Sequence, residues 1–141
     1  MRRFVLVLLL LVVVGAGAPE TVGAAHTDRR VAYVATVRTN AGDYRAVIRD
    51  PRMLRRAVRN MVGVEGGGVP TGPLAWGDGG VNHGHVWHVT ELGFADFTIE
   101  LCDGTVEMVD ADPDYWVDTV GHFCPWSGRV VKLEPMARRL R

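Results

Sequence analysis

The sequence predicts an α+β fold: an antiparallel sheet with one main amphipathic helix, a shorter acidic helix and one disulfide. Three observations predict it. Apolar residues alternate with period two over residues 31–39 and again over 44–48. A helix-start signal, Asp50-Pro51, then opens an apolar-and-arginine pattern with helical spacing. Finally, two cysteines, Cys102 and Cys124, lie in otherwise β-like or turn-like sequence.

The elements follow in order. In V-A-Y-V-A-T-V-R-T, Val31, Tyr33, Ala35 and Val37 share one parity, and Asn40, Gly42 and Asp43 turn the chain into Tyr44–Ile48, giving a hairpin. The helix P-R-M-L-R-R-A-V-R-N-M-V ends at Gly63. Leu54, Ala57, Val58, Met61 and Val62 make its apolar face, and Arg52, Arg55, Arg56 and Arg59 line much of the other. Glycine and proline over residues 64–84 predict loops, with only Leu74–Trp76 as a short strand. H-V-W-H-V predicts a strand with His85, Trp87 and Val89 on one face and Val86 and His88 on the other. F-A-D-F-T-I-E-L-C predicts another, with Phe97, Ile99 and Leu101 on one parity. Residues 105–119 predict an acidic helix broken near Pro113, with Asp103 as a candidate cap. G-R-V-V-K-L-E predicts the closing strand.

The N-terminus sets the compartment. Arg2 and Arg3 precede an apolar run from Phe4 to Val14 and then small residues, the pattern of a cleaved secretory leader over residues 1–25. The run is shorter than the roughly 20 residues that span a bilayer. The expected organisation is therefore this leader, one α+β domain over 26–135 and a basic tail over 136–141. A secreted, extracellular protein without a stable membrane anchor follows. Net formal charge is zero, which leaves no electrostatic case for nucleic acid. In an oxidising compartment an even cysteine count reads as a pair, so a Cys102–Cys124 bridge is expected. The competing reading is a free, reactive Cys124 in C-P-W-S with His122 as its base.

Four other patterns carry chemistry. H-G-H-V-W-H places His83, His85 and His88 within six residues, a candidate divalent-metal set if the strand bends to bring His88 round. No other cofactor is called for. D-A-D-P-D has carboxylates enough for calcium but lacks the glycine and terminal glutamate of a calcium loop. Ser127 has no G-x-S-x-G around it. Arg52, Arg55, Arg56 and Arg59 form a candidate partner-binding face, and the ordinary alternative is a solvated helix surface.

W-H-V at Trp87–Val89, F-T-I-E-L-C-D-G-T at Phe97–Thr105 and D-Y-W-V-D-T-V-G-H-F-C-P-W-S-G-R-V-V at Asp114–Val131 resemble a domain family named after the N-terminal domain of a eukaryotic calmodulin-binding protein. The likeness spans roughly residues 31–133, with C-D-G and F-C-P-W-S its most distinctive pieces. It implies a small α+β domain, often exported and standing alone in bacteria, and it carries over no catalytic or binding residue. The reading is a secreted binding or interaction module for a protein or small-molecule ligand. The alternative is a small secreted enzyme or metal-binding protein using His83, His85 and His88.

Overall fold

The computed structural model describes residues 31–136. The expected leader, and the tail beyond Met136, lie outside these residues.

Tyr33–Arg38 (β1) and Asp43–Ile48 (β2) form the expected hairpin, and Arg129–Pro135 (β7) pairs with the other edge of β1, giving an antiparallel sheet ordered β2-β1-β7. Ala35 and Val37 face the main core, while Val34 packs with Val47 and Val81 on the opposite side. The second sheet is organised by Val69–Trp76 (β3). It pairs in turn with Gly93–Ala95 (β5), His122–Phe123 (β6) and Trp87–Val89 (β4).

β3 corrects the expected loop. Pro70, Gly72 and Pro73 argue against one long ladder, but an antiparallel pair needs the N–H of only every second residue, and three short partners share this strand. Gly72 is required by close crossing: a Cβ there would stand 2.5 Å from the Glu91 carbonyl oxygen and from Val89 Cγ1.

Pro51–Val62 (α1) starts and stops as its sequence dictates. The Asp50 carboxylate accepts from the Arg52 amide at 2.7 Å, and Gly63, at φ 73°, returns its N–H to the last carbonyls. Ala57 is buried, and Met53, Leu54 and Met61 pack against the core. Val58 and Val62 are exposed, contrary to the expected face, because the helix leans on its Met53–Ala57–Met61 side.

The acidic helix breaks as expected into Val106–Ala111 (α2) and Tyr115–Val120 (α3), the latter wound as a π-helix. Thr105, not Asp103, caps α2 through the Met108 amide. The expected strand from Phe94 to Cys102 is shorter. After β5 the chain runs as an extended strap over residues 96–99 and closes in a 3-10 turn at Glu100–Cys102.

Both sheets share one core. Trp87 is fully buried against Tyr44 and Phe123, with Trp116 edge-on to Phe123. Buried Asn82 joins the layers: its Oδ1 accepts from the Arg45 amide at 2.8 Å, and its Nδ2 donates to the Trp87 carbonyl at 3.0 Å. The sequence reading missed this residue. A buried amide satisfied on both sides is a directional tie, and leaving those partners unpaired costs about 1–3 kcal/mol.

Candidate binding site

Cys102 and Cys124 are bonded, with Cα atoms 5.2 Å apart, and the Cys124 amide donates to the Cys102 carbonyl at 2.8 Å. The thiol reading of C-P-W-S is therefore excluded, since no free thiolate remains to attack. Around the bridge the distinctive residues have mechanical roles. The Asp103 carboxylate accepts from the Trp126 amide at 2.8 Å, and the Trp126 indole N–H donates to Thr98 Oγ1. Gly104 lies under Trp116, where a Cβ would meet the ring at 2.6 Å. C-D-G and C-P-W thus clamp the strap to β6.

The clamp creates a cleft of about 330 Å³. Its walls are Ile99, Leu101 and Cys102 from the strap and its turn, Ala95 from β5 and Val120 from α3. One polar pair sits in this apolar lining: Thr71 Oγ1 and His122 Nε2 share a hydrogen bond at 2.8 Å. Outside the cleft the strap is unusually apolar. Phe97, Ile99 and Leu101 are 85, 64 and 60% exposed, with Trp126 also half open. Period-two alternation holds here for extension and fails for burial, because this parity faces solvent. Among the described residues, the amides of Phe97, Thr98 and Ile99 have no backbone partner. A row of large exposed apolar groups beside a cleft marks an interaction surface.

Burial at the cleft lowers the His122 pKa below 6.5. As pH falls through that value the unfolded chain takes up this proton first, so stability should decline from there down to the folded pKa. His122→Gln is expected to flatten that part of the profile, as urea midpoints at about pH 7.5 and about pH 5.5 will measure.

The other expected residues are dispersed. His83 Nδ1 bonds the Asp78 carboxylate at 2.6 Å, His85 Nδ1 bonds Asp110 at 2.8 Å, and His88 Nδ1 donates to the Gly77 carbonyl at 2.8 Å. Each imidazole turns to its own neighbour, because residues 83–85 form turns instead of an extended strand. Among the described residues no three His, Cys, Asp or Glu side chains gather as a metal-holding group. Asp110 also accepts from the Trp87 indole at 2.7 Å, so His85 and Asp110 brace that ring. Ser127 Oγ accepts from the Asn40 amide. On α1, Arg56 pairs with Asp96, while Arg52, Arg55 and Arg59 are exposed. Met53, Leu54 and Met61 are committed to the core, so α1 has no free apolar stripe of the kind a helix-in-groove partner takes.

A protein-family model for the N-terminal domain of a calmodulin-binding-type protein matches residues 30–137, the family expected from the C-D-G and F-C-P-W-S segments. No curated protein and no solved structure matches the chain.

Proposed function

Because the chain belongs to this family of calmodulin-binding-type protein N-terminal domains, we propose that it is an exported binding module that docks an extended apolar segment of a partner protein along the strap. The observation that carries this reading is the line of exposed Phe97, Ile99 and Leu101 beside the cleft. Export rests on the leader pattern, and the intact bridge is what an oxidising compartment preserves.

An extended partner suits the surface better than a compact ligand does. The strap's three apolar side chains recur at every second residue over roughly 13 Å, the repeat of a strand. Its unpartnered amides offer main-chain hydrogen bonds to an added strand, and the cleft takes one anchoring side chain. Thr71 and His122 supply the polar contact that orients it.

The test is calorimetric titration of a synthetic Leu-Thr-Leu-Thr-Leu peptide into the full chain and into Ile99→Asp. Ile99 is exposed, so the variant should keep its fold while losing affinity by about tenfold or more. Equal binding by both proteins would remove the strap from the site.

A further inference from the structure

We propose a second site: the groove between α1 and the triglycine turn at residues 66–68 binds an oligophosphate group. Arg52, Arg55, Arg56 and Arg59 all line this groove of about 480 Å³, and Asp96 is the one carboxylate in its wall. Asp96 pairs with Arg56. Among the described residues Arg52, Arg55 and Arg59 make no salt bridge, so three positive charges remain uncompensated in one concavity.

A solvated helix face does not require the turn opposite it to be bare, and here it must be. Gly66 and Gly68 have φ of 81° and 74°. A Cβ on Gly66 would stand 2.7 Å from Arg59 Nη1, and one on Gly68 would stand 2.3 Å from Arg56 Nη2. Arg56 Nε also donates to the Gly67 carbonyl at 3.4 Å. Two guanidiniums thus lie against naked backbone, which limits their freedom before any ligand arrives.

Arg55 and Arg59 are one helical turn apart, a spacing at which like charges repel. An anion between them relieves that repulsion. Planar guanidiniums grip phosphate oxygens in bidentate fashion, and several converging ones favour a group with more than one phosphate. The chain's zero net charge and the small extent of the groove favour a compact oligophosphate over a long polyanion. Such a group comes either as a free oligophosphate or on a lipid headgroup.

Sodium tripolyphosphate titrated calorimetrically into the full chain should bind one to one and weaken as salt rises. Arg55→Gln/Arg59→Gln should lose about tenfold or more in affinity with an unchanged thermal midpoint, both side chains being exposed. Gly66→Ala should fold, as circular dichroism will check, and bind more weakly because Arg59 is displaced. Flotation with phosphatidylglycerol vesicles, reversed by tripolyphosphate, would identify a headgroup as the source, whereas tripolyphosphate binding without flotation would identify the free anion. Absence of both, or binding unaffected by the double variant, would overturn the site.

Discussion

Trp87→Ala is expected to cost about 3–5 kcal/mol, a large part of the roughly 5–15 kcal/mol that holds a domain of this size together. Trp87 is where the layers meet. Its ring is fully buried, 6.0 Å from Tyr44 and 5.7 Å from Phe123 between centroids, and its indole N–H is spent on Asp110 of α2. Its backbone carbonyl takes the Asn82 amide that ties β2 to β4. Alanine removes the packing between both sheets and deprives Asp110 of its indole donor at once. Urea denaturation will measure the loss. A cost below about 1 kcal/mol would mean that the core does not close on this ring.

The Cys102→Ala/Cys124→Ala double variant is expected to lose on the order of 3 kcal/mol by the loop-closure estimate for a sequence separation of 22. Its effect should also be local. The bridge pins the strap to β6, and Cys102 is itself part of the cleft wall. Freed of it, the strap keeps only weaker ties, such as Trp126 to Thr98 and Asp103. Denaturation midpoints should fall, and peptide binding should fall by more than the folded fraction does. Unchanged binding in the folded fraction would separate the bridge from the site.

The parts of this molecule that were legible in its sequence are those governed by local rules. Period-two alternation and the turn at Asn40–Asp43 specify the β1–β2 hairpin, and Asp50-Pro51 with Gly63 specifies both ends of α1. The bridge was legible from cysteine parity and the leader. β3 was not, because Pro70 and Pro73 are read locally as breakers and only the order of three separate partners makes them tolerable. Nor was the site. Alternation at Phe97, Ile99 and Leu101 fixes an extended backbone with an apolar side, but which side the fold covers depends on where β5, α3 and the bridge carry the strap. Val58 illustrates the same limit on α1, where helical spacing defines a stripe and the tilt on the core chooses its edge. The histidine cluster was conspicuous for its spacing, and turns at residues 83–85 sent each imidazole to a separate acceptor. One signal of the strap was present: three large apolar residues next to C-D-G, whose Asp103 and Gly104 are committed to Trp126 and Trp116.

The central claim is that the strap and its cleft receive an extended apolar segment. The most direct measurement is an amide nuclear magnetic resonance titration of the isotope-labelled protein with the Leu-Thr-Leu-Thr-Leu peptide. Saturable shifts at Phe97–Cys102, Thr71, Val120 and His122, with contacts between peptide amides and the strap, are predicted. Shifts confined to other surfaces, or none at all, would contradict the account.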